Sequence, residues 1–277
     1  MRAALAKRFN IASQKRHFVW RWRLFDVIVV DMGDAFWMIA QYDHSLHAGE
    51  MGAWLRDEAF STPGRRTSVL TGVAEHDLAW IGMDKVPLWN DARSAPYSFL
   101  DLPDSWKLPH YHCGVDELEA RDPYAGLLAS RHYGAFFEHS TDPDALAFLA
   151  RERSRQARLL TDLDVVELDV ERDVRVVQFL DRLSLYVCLS DPRSGHGPFV
   201  PWLQGPFREL EPAMGECIEV GWAGPGRVQL KPFPFRAAFA CDVSVRKVDK
   251  RQIAAVGIAT AYKTTHVERE RVTIAPA

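Results

Sequence analysis

"VAEHDLAWIG", residues 73–82, sets a glutamate, a histidine and an aspartate side by side in an otherwise apolar run. The reading of this stretch decides the fold. Successive residues of an α-helix lie ~100° apart. His76 and Asp77 therefore share a face with Val69, Val73 and Trp80, and Glu75 falls at its edge. A helix that carries His-Asp on its apolar side must compensate a buried charge, by pairing or with a metal ion.

Working outward, the same pattern recurs. Upstream, "LFDVIVVDMGDAFWMIAQ" (24–41) gives two β runs, Val27–Val30 and Phe36–Ile39, around a turn at Gly33 and Asp34. From Tyr42 the period becomes helical, with His44, Ala48, Met51 and Leu55 on one stripe. "STPGRRTS" (61–68) then makes a loop whose last Thr or Ser suits a helix cap. Downstream, Pro87 to Pro109 is irregular and long enough to act as a lid or binding segment, with Trp80, Trp89, Tyr97, Phe99 and Trp106 around and within it. "DPYAGLLASRHYGAFFEH" (122–139) begins with an N-cap Asp122 and Pro123 at the first helical position, and aligns Leu128, His132 and Phe136. "DPDALAFLARERSRQARLLTDL" (142–163) is a helix with a charged outer face. In "DVRVVQFLDRLSLYVCLS" (173–190), Val177, Asp181, Ser184 and Cys188 line one stripe.

After Pro192 the composition turns to strands: "CIEVGW" (217–222), "RVQLKPF" (227–233), "AAFACDVSVRKV" (237–248) and "HVERERVTI" (266–274). The prolines of "KPFPF" (231–235) suit an edge or a bend. The N-terminal hairpin and these strands are expected to form one antiparallel sheet beside the helices, an α+β class. The expected organisation is one domain over 26–277, with a helical core at 42–191 and a β part at 192–277.

Composition narrows the function classes. The 277 residues carry a net charge of −3, so no global basic field points to nucleic acid. No apolar run approaches the ~20 residues of a membrane span. The four cysteines form no CxxC pair, and reduced thiols in a cytoplasm are expected. Residues 1–25 hold Arg2, Lys7, Arg8, Lys15, Arg16, Arg21 and Arg23 without an acid. Such a segment suits a targeting peptide or a nucleic-acid or lipid-binding arm. The plainer expectation is a poorly ordered extension. Neither a P-loop nor a dinucleotide fingerprint is present, and Ser130 and Ser184 lie outside any G-x-S-x-G elbow.

Four helices thus each place His or Asp on an apolar stripe: His44, His76 with Asp77, His132, and Asp181. Imidazole and carboxylate together bind divalent ions such as Zn, Mn, Fe or Ni, and helical cores build such centres from facing helices. The alternative is a buried network in which His and Asp satisfy one another. On the metal reading these five residues are ligands, Glu75 is the candidate general base, and the substrate is a small molecule.

The order His, His-Asp, His, Asp resembles the HD superfamily of metal-dependent phosphohydrolases. There a His, an adjacent His-Asp pair and a late Asp hold one or two metals. The resemblance implies an HD-like helical core with ligands His44, His76, Asp77 and Asp181, and with His132 as the extra ligand of binuclear members. His110 and His112 stand where some members carry one more His. The pair here is followed by "LAWIGMDK" (78–85) instead of the short Gly-Lys segment of many HD enzymes. Across most of the chain, "QYDHSLHAG", "VAEHDLAW", "YSFLDLP", "DPYAGLLASRH", "QFLDRLSLYVCL" and "KPFPF" together resemble a bacterial family of uncharacterised proteins, a domain of unknown function. Three functions follow as expectations: a metal-dependent hydrolase, a di-iron HD-type oxygenase, or a non-catalytic protein with a buried His/Asp network.

Overall fold

The computed structural model describes residues 25–277. The basic segment expected to be an extension lies, up to residue 24, outside the described residues. A hairpin of β1 (Ile28–Asp31) and β2 (Ala35–Ile39) leads into α1 (Gln41–Gly52) and α2 (Arg66–Glu75). Then come α3 (Asp104–Arg121), α4 (Pro123–Ala135), α5 (Pro143–Asp162) and α6 (Glu167–Cys188). The C-terminal part supplies β3 (Glu219–Trp222), β4 (Arg227–Lys231), β5 (Phe239–Asp249) and β6 (Val267–Pro276), with two short helices, Lys250–Val256 and Ile258–Thr264, between the last two strands.

The six strands form one sheet in the order β1-β2-β5-β6-β4-β3. The N-terminal hairpin and the C-terminal strands therefore share a sheet, and the class is α+β. β2 joins β5 through Ala35↔Asp249 to Met38↔Arg246. The sheet departs from purely antiparallel pairing at one place, where β6 runs parallel to β4, with Thr273 opposite Arg227. The "KPFPF" bend explains this. Its prolines have no N–H to continue a ladder. The chain leaves the sheet there, and Phe235 bridges to Leu55 instead. β6 then fills the place between β4 and β5.

The main core joins the sheet to the helices through residues such as Ile28, Trp37 and Val243 against Met51, Val73, Val177 and Leu180. A second cluster, around Trp80, Tyr111, Tyr133 and Phe148, holds α3, α4 and α5 together. The Asp122 cap follows the sequence, accepting from the amides of Tyr124 and Ala125, and Asp142 likewise accepts from those of Asp144 and Ala145. The Thr or Ser cap expected at the end of 61–68 is not formed: α2 already begins at Arg66, with Arg65 at its N-cap, so Thr67 and Ser68 lie inside the helix.

α6 begins at Glu167, ahead of the expected start at Asp173, and two further helical boundaries that differ from the expectation bear on the site. The helix read through residue 80 ends at Glu75, so Asp77 (φ −103°, ψ 23°) lies just past it, before the short turn Leu78–Trp80. The His76 ring supplies the reason, because its Nδ1 bonds the Val73 carbonyl at 2.7 Å. It thus satisfies one of the carbonyls left open at a helix end. The second difference is α3, which begins inside the stretch read as irregular and carries Pro109 within it.

Candidate metal centre

α1, the end of α2, α4 and α6 meet around one point. Among the described residues, His44, His76 and Asp181 form a group whose donor atoms all lie within 4.8 Å of one another. His44 Nε2 is 2.9 Å and His76 Nε2 3.4 Å from Asp181 Oδ1. Asp77 Oδ2 stands beside the trio, 3.9 Å from His44 Nε2 and 3.6 Å from His76 Nε2. His132 Nε2 is 3.8 Å from Asp181 Oδ2, and the His132 ring meets that of His76 edge-on at 5.1 Å. Two donors around a tetrahedral ion with ~2.1 Å bonds sit roughly 3.4 Å apart. The trio's separations bracket that value and are compatible with a metal site.

The hydrogen bonds behind these side chains set which nitrogen faces inward. The Ser184 hydroxyl donates to the His44 carbonyl at 2.9 Å. Its oxygen must then accept from both imidazoles that reach it, His44 Nδ1 at 2.7 Å and His47 Nδ1 at 2.9 Å. For His76, the Val73 carbonyl only accepts, so Nδ1 carries the proton. Both rings consequently turn Nε2 toward Asp181. A backbone or side-chain acceptor behind each imidazole is the arrangement that orients metal-binding histidines.

Electrostatics reinforce the point. Burial pushes the Asp181 carboxyl up, but the bond from His44 and the close, positively charged His76 outweigh it and hold the group well below the usual carboxylate range. Burial would depress His76, yet Asp77 and Asp181 raise it to about 9. Burial dominates at Asp77, which is raised against the attraction of His76 and His44. Burial also lowers His132 to about 4, so it is neutral at physiological pH. His76 Nε2 and His132 Nδ1 are buried without a hydrogen-bond partner.

The centre lies on the wall of a cavity of about 480 Å³, which His44, Asp77, His132 and Asp181 line together with Trp80, Phe99 and Phe136. The stretch read as a lid contributes Phe99 and Leu100 to this wall, whereas Trp89 packs on Phe36 and Trp106 is exposed. Glu75 is placed differently from the other candidates. It bonds Tyr42 Oη at 3.2 Å and pairs with Arg121 at 3.1 Å, and it does not line the cavity. His112 pairs with Asp116 and Glu152 on the far side of α3, and His110 is exposed.

Four contributors were not singled out for this role in the sequence. His47 is three residues from His44 on the same helical face, and that spacing could have shown it. Ser184 aligns with Asp181 but bonds the histidines. Tyr133 Oη donates to Asp77 Oδ1 at 3.3 Å. Asp84 accepts from the amides of Gln41 and Tyr42 and so caps α1 from a remote segment, which no local pattern announces.

Fold and site together define an α+β protein with a buried His/Asp cluster at a cavity. The chain belongs to the family described as protein of unknown function (DUF3891), whose model matches residues 27–250. No curated protein and no solved structure matches it. No helix among the described residues is long and apolar enough to cross a membrane.

Proposed function

We propose that the protein is a metal-dependent hydrolase acting on a small molecule. The observation that carries this reading is the convergence of His44, His76 and Asp181 beside a cavity that His44 and Asp181 line. The order of the ligands along the chain, resembling the HD superfamily, supports it. His44, His76 and Asp181 hold one divalent ion, with Asp77 as a further ligand. A bound ion supplies Lewis acidity and lowers the pKa of a water toward neutrality. His132 is neutral, faces Asp181 from the cavity wall and takes the proton in place of Glu75, which Arg121 holds elsewhere. Ser184 keeps His44 in the binding tautomer.

A second reading is favoured by the ligand set itself. Two histidines and one carboxylate with open positions are the donor set of non-haem iron oxygenases. Elemental analysis of protein purified without a chelating column decides among the readings, with Asp181→Asn and Asp181→Ala beside the wild type. Stoichiometric zinc, manganese or nickel, lost in both variants, is expected for the hydrolase. Iron with an oxygen-dependent absorbance change would move the assignment to the oxygenase. A folded wild type that takes up no divalent ion would overturn both and leave a non-catalytic hydrogen-bonded core.

A further inference from the structure

We infer that the cavity takes a molecule with an aromatic or branched apolar body and no phosphate chain. This inference rests on the metal reading above and names its substrate class. Beside the ligands, the wall is built from Trp80, Phe99, Tyr111, Phe136, Leu185 and Trp202. A cavity of about 480 Å³ with such a lining suits a compact organic molecule held by apolar contact and a few polar groups.

The devices that bind phosphate are already occupied. Among the described residues, Arg182 is the one Lys or Arg on this wall. Its guanidinium donates to Glu209 Oε1 at 2.9 Å and to the Trp202 carbonyl at 3.3 Å. A helix N-terminus with free amides is the other common phosphate cradle. Gln41 brings the N-terminus of α1 to the wall, but Asp84 takes the amides of Gln41 and Tyr42 at 3.1 and 3.0 Å. The other acidic groups on the wall, Asp77, Asp181 and Glu209, repel oxyanions. A divalent ion at His44, His76 and Asp181 offsets this acidic excess and leaves no surplus positive charge for a di- or triphosphate. Among the remaining polar handles are the neutral amides of Gln41 and Gln178 and the His132 imidazole, whose Nδ1 has no hydrogen-bond partner. Gln41 is 3% exposed and its Oε1 has no hydrogen-bond partner, so an N–H or O–H on the ligand would satisfy it.

The test uses the full-length protein loaded with zinc and three probes followed by calorimetry: benzohydroxamate, acetohydroxamate and pyrophosphate. The two hydroxamates share a metal-binding head and differ by a phenyl group. Burial of that ring in the apolar wall should make benzohydroxamate bind at least about tenfold tighter than acetohydroxamate, with pyrophosphate weaker than benzohydroxamate. Phe136→Ala, at a position 39% exposed, should narrow the hydroxamate ratio severalfold. The wild-type ratio decides alone if the variant does not fold. A ratio near one, or pyrophosphate binding tighter than benzohydroxamate, on zinc-loaded protein would overturn the substrate class and leave the metal reading standing. Failure of the protein to load zinc or any other divalent ion would instead overturn the metal reading, and the substrate class with it.

Discussion

At the scale of single residues, the proposed metal would compete with protons for the same nitrogens. In the metal-free protein His76 titrates at about 9, because Asp77 and Asp181 outweigh its burial, so it is an imidazolium at neutral pH. A metal ligand must be deprotonated. Binding at pH 7 therefore displaces the His76 proton, while His132, lowered to about 4, has none to lose. The sign follows: apparent affinity rises with pH, about tenfold per unit while one proton is displaced, and levels off above about 9. Calorimetric titration with zinc in buffers of different ionisation enthalpy should show proton release at pH 7, and His76→Gln should reduce that release by about one proton. An affinity that stays constant between pH 6 and 9 would show that His76 Nε2 is not displaced by metal. The hydrogen bonds behind the ligands make this competition productive, since Ser184 and the Val73 carbonyl hold the Nδ1 protons and leave only the Nε2 positions to exchange.

At the scale of elements, the centre depends on how closely α1 approaches α2. Gly49 makes that approach possible: a Cβ there would stand 2.7 Å from Ala74 Cβ and 3.1 Å from its Cα. The neighbour is backbone as much as side chain, so the helices would have to separate. Gly49→Ala should cost about 1–3 kcal/mol of stability, as overpacking does. It should also weaken metal binding by moving His44 relative to His76. Urea unfolding together with zinc titration checks both, and unchanged stability and affinity would show that the helices are not held by this contact. The same elements show what the sequence made legible. Helical stripes found His44, His76, His132 and Asp181 because buried polar residues break an otherwise apolar pattern. The cap Asp122 was legible because it acts on its own helix. The end of α2 was not, since it depends on a ring closing on a carbonyl rather than on Gly or Pro. α3 was hidden by Pro109, although its buried residues Leu108, Tyr111, Val115 and Leu118 repeat at intervals of three and four. Glu75 was read toward the site from its neighbours in sequence, whereas Tyr42 and Arg121 hold it outside the cavity.

At the scale of the whole molecule, the centre ties the two ends of the chain together. β2, near the start, pairs with β5, near the end, and α1 follows β2 directly. From α1, His47 reaches both Ser184 of α6 at 2.9 Å and Cys241 of β5 at 3.2 Å. The helical part at 42–191 and the β part at 192–277 thus meet at a buried polar chain that leads to the ligands. Opening either part would unpair groups in the other, and a buried polar group without its partner costs about 1–3 kcal/mol. We therefore propose that residues 26–277 unfold as one cooperative unit. Far- and near-ultraviolet circular dichroism should report coincident thermal transitions. Zinc, by binding only the folded state, should shift that single transition upward. At a free concentration of about 100 times Kd the stabilisation is about 2.7 kcal/mol, which corresponds to roughly 5 °C for a chain of this size. Two separated transitions, with zinc moving only one of them, would show instead that the β part folds on its own and that the His47–Cys241 contact does not couple it to the centre.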